Sequence, residues 1–183
     1  MDGHTDLLTV RHSERARTSV RDRLKRIDPA RYDPTRLQWI WEQVVKEDYA
    51  SDDISVGNFE VFISNLFMGN ARHYEYGDEA YIVLLNIIAR CNADIHFAVW
   101  GEMSMQEVAG CHDVLADEMF NGLEVNRFTA YVPAFNKKMT RLATILGYRY
   151  EGEIRQIFLK NGTYHNLYVY GLLKSEWLRR KVG

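Results

Sequence analysis

Cysteine is scarce in this 183-residue chain: Cys91 and Cys111 are the only two. That excludes a disulfide framework, so reduced thiols in a cytoplasmic compartment are expected. Proline is equally scarce, with three residues, while 11 Tyr, 8 Phe and 4 Trp supply material for a core. This balance argues against long disordered tracts. No apolar run approaches the roughly 20 residues that span a bilayer, which argues against a membrane protein. The segment Met1 to Thr9 lacks a signal peptide's apolar centre. A net charge of −2 leaves no surplus of Lys and Arg to neutralise a nucleic-acid backbone. What remains is one globular domain, preceded by a basic arm over residues 1–34 and occupying residues 35–183.

Arg11, Arg15, Arg17, Arg21, Arg23, Lys25 and Arg26 face only Glu14 and Asp22 in the arm. The arm reads either as a solvated helix or leader, or as a segment that binds a partner or phosphate. Asp28-Pro29 and Asp33-Pro34 then punctuate the chain. A helix is expected from Thr35, as its cap, to Tyr49, with Leu37, Ile40, Trp41, Val44 and Val45 on one face. A second is expected from Asn58 to about Met68, ended by Gly69-Asn70.

Tyr81 to Ile88 is a nearly continuous apolar run, as a strand buried on both faces requires. Cys91-Asn92-Ala93-Asp94 reads as a turn, Ile95 to Trp100 as the next strand, and Met103 to Phe120 as a helix stopped by Asn121-Gly122. A strand at Arg127 to Pro133 leads into a helix that buries Met139, Leu142, Ala143 and Leu146 and stops at Gly147. Asn161-Gly162, between two alternating runs, is the strongest two-residue hairpin signal. Cys91, His96, Cys111 and His112 match no zinc spacing, and no metal is expected.

Arg127 to Pro133, Asn136, Leu146-Gly147-Tyr148-Arg149-Tyr150-Glu151-Gly152, Lys160 to Leu173 and Glu176-Trp177 resemble the C-terminal half of the GNAT N-acetyltransferases. The similar branch acetylates N-termini, amino acids and polyamines. The resemblance is specific over Ile95 to Trp177. It implies an α/β (α+β) fold with a mixed central sheet splayed in the middle, helices on both faces and an extra N-terminal helical segment. It also implies acetyl-CoA in the splay, held by Phe97, Ala98, Val99, Trp100, Gly101 and Asn136. An oxyanion would meet a strand N–H within Phe97 to Trp100.

The family's glycine-rich turn crowds backbone N–H groups around the cofactor's pyrophosphate at a helix N-terminus. Here that turn falls on Gly101-Glu102-Met103-Ser104-Met105-Gln106-Glu107, with one glycine and two acids. A like charge at that point opposes an anion. The tyrosine that protonates the leaving thiolate in many members aligns with Ala143. Asn136 also reads as a helix cap. Glu102 and His96 are the candidate general bases, with an exposed first-turn acid and a half-buried strand histidine as their plain structural readings; Tyr131 and Tyr168 read as cross-strand packing.

Two functions follow. One is acyl-CoA-dependent N-acetylation of an amine on a protein or small molecule. The other is a non-catalytic binding or assembly protein of the same fold, with a protein partner engaged through Arg11 to Arg26. The second resembles certain bacteriophage internal virion proteins and implies a virion location.

Overall fold

The computed structural model describes residues 20–47, 49–50 and 58–182. The expected N-terminal helical segment lies mostly outside the described residues; within them Val20–Arg23 is helical. Strand β1 (Leu24–Ile27) comes next, followed by helices α1 (Pro34–Lys46) and α2 (Phe59–Leu66). A meander of β2 (Arg72–Tyr76), β3 (Ala80–Ile88) and β4 (Asn92–Val99) leads into α3 (Met105–Asp117), which ends in a π-turn at Glu118–Gly122. Then come β5 (Arg127–Pro133), α4 (Lys137–Ile145), β6 (Arg149–Lys160), β7 (Thr163–Leu173) and α5 (Lys174–Val182).

The strands form one sheet in the order β1-β2-β3-β4-β5-β7-β6. All neighbours run antiparallel except β4 and β5. α1 and α2 cover one face, where Leu37, Ile40, Val44 and Phe62 pack on Ile27, Tyr81 and Ala98. The other face carries α3, α4 and α5, with Leu115, Leu142 and Trp177 packed among Ile82, Phe97 and Phe128. Each such aliphatic or aromatic side chain stabilises the fold by about 1.5–3 kcal/mol through burial. Trp177 stacks edge-on to Phe120, and Phe120 in turn lies against Phe128.

Several expectations shift by physical detail. The α1 cap is Asp33, whose carboxylate accepts from the Thr35 N–H at 3.0 Å, so Thr35 lies inside the helix. Asn92 to Asp94 is the start of β4 rather than a turn, and the turn lies at Ala89, Arg90 and Cys91. Its polar look has a cause: Asp94 is buried and accepts from Asn86 Nδ2 and Asn92 Nδ2, each at 2.8 Å. The domain also begins upstream of residue 34. Val20 is buried beside α3, and Leu24–Ile27 pairs with β2 along its whole length. The arm's earlier arginines, Arg11 to Arg17, lie outside the described residues.

Both edges of the sheet are irregular. β1 is four residues long, with Lys25 and Arg26 exposed. β6 slips register against β7 twice, between Tyr150 and Gly152 and between Ile154 and Phe158. Gln156, at φ +51°, sits in the second slip, its N–H bonded to Asn166 Oδ1 at 2.9 Å.

Candidate functional site

β4 and β5 pair through Asn92–Arg127, Ala93–Phe128 and Asp94–Thr129, and there the pairing stops. Beyond it β4 stays with β3 as far as Val99, and β5 stays with β7 as far as Pro133. The sheet twist carries these two halves apart. A cavity of about 360 Å³ fills the gap and reaches both faces of the sheet. Phe97, Met139, Leu142 and Ala143 line it toward α4; His73, Tyr81, His96 and Tyr131 line it toward α1 and α2.

The open edge of β4 allows a complete account of its backbone groups. Cys91 C=O accepts from Asn126 and Arg127, so odd-numbered residues direct their polar groups toward β5. The Ile95 carbonyl, Phe97 and Val99 therefore face the gap, and Ala98 faces β3. Val99 is already engaged. The Tyr49 hydroxyl donates to its carbonyl at 3.1 Å and accepts from its N–H at 3.0 Å. The Trp100 and Gly101 N–H groups both donate to Glu79 C=O at 3.0 Å. Of the backbone donors expected to meet a cofactor over Phe97 to Gly101, Phe97 is the one directed into the gap with no partner among the described residues.

The turn after β4 is held by its own side chains. Ser104 caps α3, its hydroxyl accepting from the Glu107 N–H at 3.2 Å. Glu107 Oε2 returns to the Ser104 N–H at 3.0 Å and to the Ser104 hydroxyl at 2.9 Å. This reciprocal capping box binds the helix N-terminus to an internal carboxylate. Arg23 Nη1 donates to Glu107 Oε1 at 2.8 Å, and the Tyr76 hydroxyl does so at 3.0 Å. Arg23 Nη2 donates to Glu79 at 2.6 Å. The Ser104 N–H and hydroxyl, then Tyr76 and Arg23, hold the Glu107 carboxyl below the usual carboxylate range. Gly101 has a packing reason to be glycine, since a Cβ there would stand 2.7 Å from Glu79 Cγ and 2.8 Å from Glu79 Cα.

The two candidate bases part company. Glu102 is exposed and lines no part of the cavity. His96 does line it, stacked on Tyr131 with ring centroids 6.4 Å apart. Burial lowers the His96 pKa, against an opposing pull from Asp94. Asn136 caps α4, accepting from the Met139 N–H at 3.0 Å, and is not among the cavity walls. Tyr131, read as packing, is a wall of the cavity.

Sequence reasoning missed two buried His–Tyr pairs in the cavity wall. Tyr81 bonds His73 Nδ1, and His73 Nε2 faces the Asn65 carbonyl at 3.2 Å. These partners fix a neutral imidazole with hydrogen on Nε2. On the other side His112 Nε2 meets the Tyr148 hydroxyl at 3.0 Å. The pairs join residues 8 and 36 positions apart, and no local spacing announces them.

No protein-family model and no curated protein matches the sequence. Solved structures do. A spermidine N-acetyltransferase from Vibrio cholerae, in complex with CoA and spermine, is 18% identical with a TM-score of 0.67, covering 86% of this chain and 99% of its own. The ribosomal-protein-S5-alanine acetyltransferase of Vibrio fischeri is 13% identical at a TM-score of 0.63, covering 84% and 93%. A probable acetyltransferase is 23% identical at 0.53, covering 68% and 72%. The chain has the GNAT N-acetyltransferase fold. The splayed β4–β5 pair with a cavity between is the feature of this GNAT fold that bears on chemistry. Among the described residues no group of three or more His, Cys, Asp or Glu is placed to hold a metal ion.

Proposed function

We propose that the chain is a GNAT-type N-acyltransferase that takes an acyl thioester in the splay and passes the acyl group to an amine. The observation that carries this reading is the cavity through the sheet, open to both faces at the free edge of β4. One face offers apolar walls and the Phe97 backbone; the other offers His96 and Tyr131. Acetyl-CoA, when bound, supplies an activated carbonyl whose thiolate is a good leaving group. The residues present fit its acyl and adjoining amide portion, because an open strand edge pairs with an amide. They do not fit its diphosphate, because the Glu107 carboxylate already takes the Ser104 N–H and sets a negative charge at the α3 N-terminus.

His96 is the residue suited to accept the amine proton. Its lowered pKa keeps the imidazole neutral at pH 7, and a neutral imidazole is the basic form. Tyr131, stacked beside it, orients the ring. The acceptor amine, on a protein or a small molecule, enters from the side of α1 and α2.

The test is to incubate the full chain with acetyl-CoA or S-acetylpantetheine and a panel of amines, spermidine and peptide N-termini among them, and to follow acetylated product by mass spectrometry. Acetylated amine that depends on the chain is the expected result. No product and no binding at millimolar thioester would overturn the reading. That outcome would favour a non-catalytic binding or assembly protein, a second reading supported by the internal carboxylate at α3.

A further inference from the structure

Two groups of the protein occupy the outer end of the splay, in the positions a long thioester ligand would contest. The Tyr49 hydroxyl closes both backbone groups of Val99. Farther out, the Glu107 carboxylate takes the Ser104 N–H and hydroxyl at the start of α3 and is anchored from three sides by Ser104, Tyr76 and Arg23. The Gly101 and Trp100 N–H groups are bonded to Glu79 C=O. Among the described residues Glu79 and Glu107 share the Arg23 guanidinium, two carboxylates to one cation. The inner end differs. Phe97 and the Ile95 carbonyl face the gap, and the apolar walls from Met139, Leu142 and Ala143 begin there.

Resting on the acyl-transfer reading above, we infer that the splay recognises its thioester only by the inner acyl-cysteamine end, and that the adenosine diphosphate of CoA adds nothing to binding. An anion that takes the Ser104 N–H must displace Glu107 from the capping box, and one bound elsewhere in the first turn meets the charge of that carboxylate. Helix N-termini attract anions through free N–H groups, and this one has an anion built in. The donor class is therefore an acyl thioester on a pantetheine-like arm, whatever that arm is attached to.

Calorimetry on the full chain with three probes decides the matter: acetyl-CoA, S-acetylpantetheine, and 3′-phosphoadenosine 5′-diphosphate as the nucleotide half alone. The two thioesters are expected to bind with dissociation constants within about five-fold of each other, and the nucleotide to give no heat at about 1 mM. A preference for acetyl-CoA beyond about five-fold, or binding of the nucleotide alone, overturns the inference and leaves acyl transfer standing. Failure of both thioesters to bind overturns both. Glu107→Ala, which releases the Ser104 N–H and removes the carboxylate beside Arg23, is expected to favour acetyl-CoA over S-acetylpantetheine by at least about five-fold. An unchanged ratio in a folded Glu107→Ala variant would show that Glu107 does not exclude the nucleotide. The wild-type comparison stands without the variant.

Discussion

The Tyr148 hydroxyl stands 3.0 Å from Nε2 of His112, and both side chains are buried. Asp113 Oδ1 lies 4.0 Å from the other ring nitrogen, so hydrogen on Nδ1 leaves Nε2 to accept from the tyrosine. Tyr148 opens the way into β6 and His112 lies on α3; their bond ties the hairpin side of the sheet to the helix behind it. Tyr148→Phe keeps the packing and leaves Nε2 without its donor. The expected cost is about 1–3 kcal/mol, read as a lower urea midpoint at unchanged slope. A midpoint within error of wild type would show that the bond contributes nothing.

Acid should weaken the fold through its buried histidines. Burial pushes His73 down to about 4 from the usual value near 6.5, and it also lowers His96 and His112. A depressed folded-state pKa means the unfolded chain binds protons first as pH falls. The associated stability is complete above about pH 6.5 and is lost progressively toward pH 4. For His73 alone the loss is on the order of 3 kcal/mol. Urea titrations at pH 7.5 and 4.5 should show it, and the His73 ring proton signals should not titrate above about pH 5. A midpoint unchanged between the two pH values would contradict the assignment.

Asn136 and Gly101 are expected to behave as structural residues. Asn136→Ala removes the α4 cap, at a cost of about 1 kcal/mol. Gly101→Ala forces a methyl group against Glu79, at a cost of about 1–3 kcal/mol. Thioester binding by the folded Asn136→Ala protein should match wild type. A ten-fold loss of binding at intact stability would make Asn136 a ligand contact instead.

The fold was legible where local chemistry repeats: the apolar stripes of α1 and α4 and the Asn161-Gly162 hairpin stand as expected, and β3 stands as a strand that is buried on both faces only in its first half, with Asn86 and Ile88 exposed. β2 was not legible because its sequence, Arg72-His73-Tyr74-Glu75-Tyr76, has no aliphatic residue and mixes charge with aromatics. Its partners come from far along the chain: Arg36 for Glu75 at 2.8 Å, and Glu118 for Tyr74 at 2.9 Å. β1 was hidden in a basic stretch, since pairing with β2 and the burial of Ile27 at the margin leave no periodic signal in four residues. At the site, His96 and Ala143 could be found from the strand and helix that carry them. The plugging of Val99 by Tyr49 could not, because it joins residues 50 positions apart.

The two candidate bases make opposite forecasts. His96→Ala should lower acyl transfer by about 100-fold or more with little change in thioester binding. Glu102→Ala should leave the rate within about two-fold, because the side chain points into solvent away from the cavity. Rates measured at saturating thioester from pH 5 to 9 would separate them. The wild-type acid limb should lie below pH 6.5, in keeping with the lowered His96 pKa. Equal rates for wild type and His96→Ala would remove the histidine from the mechanism.

The margins of the sheet bear on how this chain lives at high concentration. An open strand edge recruits other strands, and long straight edges seed fibrils. β1 offers only four residues and two exposed positive charges. β6 is twelve residues long and shows Tyr150 and Ile157 to solvent, yet its two register slips break it into short stretches. A foreign strand laid along β6 meets a kink before it has formed more than a few bonds. The irregularities in the hairpin thus protect against polymerisation, leaving the exposed aromatic and aliphatic side chains without a straight backbone template beneath them.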